Sequence, residues 1–233
     1  MLQVFGLPPP TAMLKENLLG LLACFGLLGA LDLAVCRRSR ARWMFIHAVA
    51  NAVVCFYSFD DLLTALDNPQ QSCVGRQSSD VPTCMIVALH IYHLAFFECR
   101  ADDIFHHLVF VSSLGGVGLY VDGGALLNLV AFFMCGLPGG LDYAMLVAVK
   151  HDMLSPLAEK AWNSRINVWI RSPGLMLAAF LLYQATRHGP AGSTCAQQPW
   201  GAALVALLCV VNGQYYMQRV TGNAYRKNEV FSS

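Results

Sequence analysis

Residues 17–38 read NLLGLLACFGLLGALDLAVCRR. About 20 predominantly apolar residues are what an α-helix needs to cross the ~30 Å hydrocarbon core of a bilayer. Arg37–Arg38 close this run as a stop, and no basic region precedes it, so it reads as a retained anchor and not a cleaved leader. Runs of the same character recur at 43–63, 85–99, 105–121, 125–149, 172–186 and 200–218, leaving no room for a soluble domain between them. Hydrophobic residues make up 56% of the 233-residue chain and charged residues 12%, about half the ~25% usual for soluble domains. Only helices and closed barrels satisfy their backbone in lipid. These runs lack the alternation of ~10-residue barrel strands. The predicted fold is therefore an all-α, polytopic transmembrane bundle of seven helices, with six as the alternative count.

One membrane domain accounts for the chain: a lead-in at 1–16, the transmembrane domain at 17–220 and a cytoplasmic tail at 221–233. The prolines of FGLPPPTAM (5–13) argue against early helix, and DNPQQSCVGRQSSDVPTC (67–84) is the longest polar loop. A net charge of +1 without a basic stripe excludes nucleic acid as a partner. There is no internal repeat, low-complexity tract or N-x-Ser/Thr acceptor site.

The positive-inside rule orients the bundle. With Arg37, Arg38, Arg40 and Arg42 placed in the cytoplasm, twelve lysines and arginines fall inside against three outside, Lys15, Arg76 and Arg187. The N-terminus is then lumenal or external and the C-terminus cytoplasmic. Cys73, Cys84 and Cys195 land on the outer side, where a disulfide can form. Cys73 with Cys84 is the expected pair. The other six cysteines lie in spans or near the cytoplasmic face, without a CxxC, and read as small apolar packing residues.

Chemistry concentrates in ECRADDIFHHLVF (98–110). If residues 102–107 begin a helix, Asp102 sits one turn from His106 and Asp103 one turn from His107. A carboxylate beside an imidazole fixes its tautomer and favours its protonated form, which suits a general base. At a helix start the same acids also meet the helix dipole favourably, so a purely structural role stays open. ALHIYHLAFFE (88–98) adds His90 and His93 one turn apart, with Tyr92 and Glu98 nearby, in an apolar zone where polar groups are costly and face the bundle interior. His47, Asn51, Asp60 and Asp61 in the second span, and Asn128 and Asp142 in the fifth, join the same interior as helix–helix hydrogen-bonding residues. His90, His93, Asn128 and Asp142 are expected to line a lipid cavity. His151–Asp152 follows the fifth span on the cytoplasmic side, within reach of His106 and His107.

Two further stretches stand out. GLPGGLDYAML (136–146) places Gly136, Pro138, Gly139 and Gly140 in the fifth span, a break of the kind that lines a cavity. KHDMLSPLAEKAWNSRINVWIRSPG (150–174) mixes four basic residues with Trp162 and Trp169, as an interfacial stretch at headgroup level does.

A multispan chain carrying a histidine pair where a helix leaves the cytoplasm, DDIFHHLVF (102–110), resembles the TLC proteins (TRAM, LAG1, CLN8 homology) over roughly residues 40–220. The resemblance implies a lipid-handling helical bundle in the endoplasmic reticulum or a related endomembrane. The ceramide synthases of that family join a fatty acyl-CoA to a sphingoid base, and the matching histidines here are His106 and His107. His151–Asp152 looks similar to the later His-Asp motif of those synthases, at a longer spacing from the first pair. Asp102, Asp103, His106, His107, His151 and Asp152 are then the candidate catalytic residues, with membrane lipids as partners, fatty acyl-CoA as co-substrate and no resident metal or other cofactor. Two alternatives compete. The HxxH at 90–93 and the pair at 106–107 faintly resemble the histidine boxes of di-iron desaturases and hydroxylases. A non-catalytic lipid scaffold or transporter would also bury polar residues, although the paired interrupted helices of secondary transporters are absent.

Overall fold

The structure, a computed structural model, describes residues 10–73, 78–99, 104, 107, 111, 113, 115, 116 and 123–232, with side chains described between 17 and 227. All secondary structure among them is helical: α1 (Pro10–Ala34), α2 (Arg42–Asp67), α3 (Val81–Phe96), α4 (Gly124–Ala131), α5 (Leu137–Lys150), α6 (Pro156–Ile166), α7 (Ser172–His188), α8 (Thr194–Gln197) and α9 (Pro199–Ser232). A π-helical turn at Phe132–Gly136 joins α4 to α5, and a second at Asn167–Arg171 joins α6 to α7. Counted through these turns, five helices are long and apolar enough to cross a membrane, and α3 is a shorter apolar helix. Most of the predicted span 105–121 falls outside the described residues.

The surface agrees with a lipid environment. Leu19 (71% exposed), Phe56 (76%) and Trp169 (77%) project from the spans; apolar surface on this scale marks a membrane or a partner. Inside are two apolar cores. One packs α1, α2 and α3 around Leu28, Ile46, Val54, Met85 and Leu89. The other packs α2, α4, α7 and α9 around Leu126, Leu129, Leu175, Leu182 and Cys209.

Three expectations need correction. The fifth span is not broken by its glycines and Pro138. Pro138 lies in the first turn of α5, directly after the π turn at Phe132–Gly136, and Cys135 Sγ donates to the carbonyl of Ala131 (3.5 Å). The stretch does line a cavity, through Met134, Cys135 and Gly139, and the glycines also serve close packing: a Cβ on Gly139 would stand 2.7 Å from Asn51 Nδ2 on α2, the small-residue contact typical of membrane helices. The stretch 156–171 is not a separate interfacial segment but the first half of a 33-residue helix, Pro156–His188. It starts where Ser155 Oγ accepts from the Ala158 N–H (3.1 Å), with Pro156 at the first helical position. The third concerns the ends: α1 already begins at Pro10, inside the expected lead-in, because proline is well suited to a first helical turn. α9 likewise runs on through the expected tail.

The disulfide also differs. Cys73 bonds Cys195, tying the loop after α2 to the connection between α7 and α9, and Thr194 N–H donates to the Cys73 carbonyl (3.0 Å). Cys84 is a buried free thiol. It sits in the first turn of α3 against Gly20 of α1, where an added Cβ would lie 3.1 Å from its sulfur, so helix packing holds it away from the loop.

At the opposite end a buried ion pair joins three helices. Asp32 of α1, 1% exposed, accepts two bonds from Arg42 of α2, one of them from Nε at 2.7 Å. The Tyr92 hydroxyl of α3 donates a third (2.7 Å). The Arg42 guanidinium also lies over the Phe97 ring, 4.7 Å from its centroid.

Non-reducing peptide mapping is expected to recover Cys73 linked to Cys195 with Cys84 free to alkylate; a Cys73–Cys84 peptide would contradict this packing. Asp32→Ala, which removes the shared acceptor of the half-buried Arg42 guanidinium and the Tyr92 hydroxyl, should lower stability by about 1–3 kcal/mol, measured by denaturant unfolding in detergent.

Candidate functional site

Four imidazoles meet inside the bundle, toward the end marked by Asp32 and Arg42. His47 comes from α2, His90 and His93 lie one turn apart on α3, and His107 follows in the next segment. Ring centroids of His107 are 5.1 Å from His90 and 5.2 Å from His93, and those of His47 are 6.3 and 6.4 Å from the same two rings. His47, His93 and His107 are buried. Aromatic rings fix them: Trp43 packs against both His47 (3.7 Å) and His93 (3.9 Å), and Tyr143 of α5 stacks on His47 at 4.0 Å. His90 Nδ1 donates to the carbonyl of Ile86 (2.6 Å), so in the neutral ring Nε2 is the basic nitrogen.

A cavity of about 360 Å³ opens beside this cluster, within the ~300–1,000 Å³ of small-molecule sites. His47, Asn51 and His90 form one wall. Ile86, Leu89, Leu127, Val130 and Ala131 supply apolar lining, and Asp142, Asn163, Asn167 and Arg171 supply further polar groups.

Asn163, Asn167 and Arg171 belong to a ladder not apparent from the sequence alone. Glu159, Asn163, Asn167 and Arg171 recur every four residues, so they share one helix face. Asn163 Nδ2 donates to Asp142 (2.7 Å) and Glu159 (3.3 Å). Asn167 Nδ2 donates to the Asn163 side chain (2.7 Å) and carbonyl (2.9 Å). Glu159, 1% exposed, also pairs with Lys160 at 2.8 Å. Arg171 Nη2 donates to Asn212 Oδ1 of α9 (3.1 Å), and its guanidinium lies 4.5 Å from the centroid of the Tyr216 ring. The E-x3-N-x3-N-x3-R spacing is visible in the sequence as a helical signal, but the flanking tryptophans and lysines gave the stretch an interfacial look.

The expected site residues divide accordingly. His90, His93 and His107 come together, and His90 and Asp142 line the cavity. His93 packs behind them on Trp43. Tyr92 turns to Asp32, and Glu98 is exposed. Asn128 does not line the cavity: it donates to Asp61 Oδ2 (2.6 Å) and the Ser79 carbonyl (2.8 Å), pinning the loop after α2. His151 meets Ser39 Oγ (3.1 Å) and Asp152 pairs with Arg40 (3.2 Å), so this pair holds the α1–α2 connection. Asp102, Asp103 and His106 lie outside the described residues.

Among the described residues, His93, Cys99 and His107 each offer a ligand atom, all within 4.8 Å of one another. Zn–N bonds of ~2.0–2.1 Å and Zn–S bonds of ~2.3 Å would draw these donors about 1 Å closer. Compared with known proteins, the chain matches no family model, no curated protein and no solved structure.

Asn163→Ala removes the amide shared by Asp142 and Glu159. Its expected cost is about 1–3 kcal/mol, read as a lower unfolding midpoint in detergent; an unchanged midpoint would show the ladder to be energetically idle.

Proposed function

We propose that the chain is a TLC-type lipid protein of the endoplasmic reticulum or a related endomembrane, and that its interior cavity binds a lipid whose polar or reactive part meets the histidine cluster. The observation that carries this reading is the composition of the cavity. One flank is apolar enough for an alkyl chain, and the other walls offer imidazole, carboxylate, amide and guanidinium groups. A soluble metabolite has no use for the first, and a simple packing defect has no use for the second. The orientation proposed with it, arginine-rich end toward the cytoplasm, is supported by the disulfide at the opposite end, where a lumen would be oxidising.

The reaction the cluster fits is acyl transfer from fatty acyl-CoA to a long-chain amine. The neutral Nε2 of His90 or a ring nitrogen of His107 takes the amine proton as the nitrogen attacks the thioester carbonyl. The tetrahedral intermediate then expels the CoA thiolate, and the imidazolium returns a proton to it. In this reading the acids at 102 and 103 orient the histidines that follow them.

Mass spectrometry of the purified protein should find a co-purifying lipid, and labelled acyl-CoA with long-chain amines should give an amide. His107→Ala is expected to slow that turnover by about 10²–10⁴ while lipid occupancy persists. Absence of both product and bound lipid would overturn the proposal. A histidine-box metalloenzyme is the second reading, favoured by the His93, Cys99 and His107 donors. Elemental analysis decides it: less than one iron or zinc per chain would rule it out.

A further inference from the structure

Among the described residues Arg171 keeps a buried guanidinium N–H without a hydrogen-bond partner. It lies in the middle of the Pro156–His188 span, where an ionisable group is costly and ordinarily pairs with an opposite charge. Among the described residues no carboxylate pairs with it; the ion pairs belong to Arg40, Arg42 and Lys160. Its partners are a neutral amide, Asn212, and the face of Tyr216. Nε is buried with no hydrogen-bond partner, as are Oδ1 of Asn167 and Nδ2 of Asn212. Asn167 is 4% and Asn212 0% exposed. A guanidinium held for structure alone would consume its donors inside the protein.

The charge of the cavity wall points the same way. Among the described lining residues Arg171 faces the cavity with one carboxylate, Asp142, which forms no ion pair with it and accepts from Asn163. Glu159, the next acid along the ladder, is matched by Lys160. The guanidinium thus faces, without an ion pair, a pocket whose lining also includes Ile86, Leu89, Leu127, Val130 and Ala131.

We infer that Arg171 is a headgroup receptor: the cavity takes a single-chain amphiphile whose oxyanion, a carboxylate or a phosphate, supplies the missing counter-charge while its alkyl chain lies along the apolar flank. This rests on the reading of the cavity as a lipid site and adds the charge of the ligand to it. A guanidinium suits such a head because its planar fork of N–H donors matches the oxygens of carboxylate and phosphate.

The test is binding to the full-length protein in detergent of three probes with the same C18 chain: oleate, lysophosphatidate and oleyl alcohol. Wild type is expected to bind at least one of the anionic probes about tenfold or more tightly than the alcohol, as one charge-assisted hydrogen bond would give. The arm with the larger preference identifies carboxylate or phosphate. Arg171→Met should abolish the preference and leave alcohol binding within about twofold, whereas Arg171→Lys should keep part of it. Equal affinity of wild type for all three probes would overturn this inference and leave lipid binding standing. Failure of every probe would overturn both. A preference that survives Arg171→Met would assign the anion to another cation and end the claim for Arg171. If Arg171→Met does not fold, the wild-type preference together with its reduction in Arg171→Lys decides the matter.

Discussion

Hydrocarbon supplies no hydrogen bonds, and the helix from Pro156 to His188 carries Glu159, Asn163, Asn167 and Arg171 through it. Much of the bundle's arrangement follows from satisfying these four side chains. Asn163 draws in α5 through Asp142, Arg171 draws in α9 through Asn212 and Tyr216, and Asn167 closes the gap between them. The helix cannot rotate or slide by a turn without leaving an amide or a charge facing lipid, at a cost of several kcal/mol for each unsatisfied group.

Other polar contacts act as local fasteners where hydrophobic burial cannot, because lipid tails are as apolar as the helix surfaces they compete with. Asp32, Arg42 and Tyr92 lock α1, α2 and α3 at one end. At the other, Asn128 and Asp61 hold the loop after α2, and the Cys73–Cys195 bond holds that loop to the connection before α9. Between these fasteners, glycines on α5 let α2 approach closely. The cavity occupies the space the two apolar cores do not fill.

Its two polar walls differ in kind. The histidine wall holds proton-exchanging groups, packed on Trp43 and Tyr143 so that their rings keep one orientation. The ladder wall carries amides, a guanidinium and the Asp142 carboxylate, joined to one another by hydrogen bonds. A π turn contributes to each side of the space: Met134 and Cys135 come from the first, and Asn167 and Arg171 delimit the second. Such widened turns displace side chains from the regular helical register and occur often at functional sites.

The amino-acid sequence by itself determined the class of fold, because the length and polarity of each run are local quantities that a bilayer reads directly. It also marked His90, His93 and Asp142 as interior groups, since an ionisable side chain in an apolar run has few other places to go. Partner choice was decided only by tertiary structure. Sequence proximity favoured Cys84 as the mate of Cys73, but Cys84 packs in α3 against Gly20 and the bond goes to Cys195. His151–Asp152 resembles a catalytic pair in sequence, yet it closes on Ser39 and Arg40. The ladder at 159–171 stayed hidden because a polar face turned into a cavity and a polar face turned to headgroups have the same composition; which way the face points is a property of its neighbours.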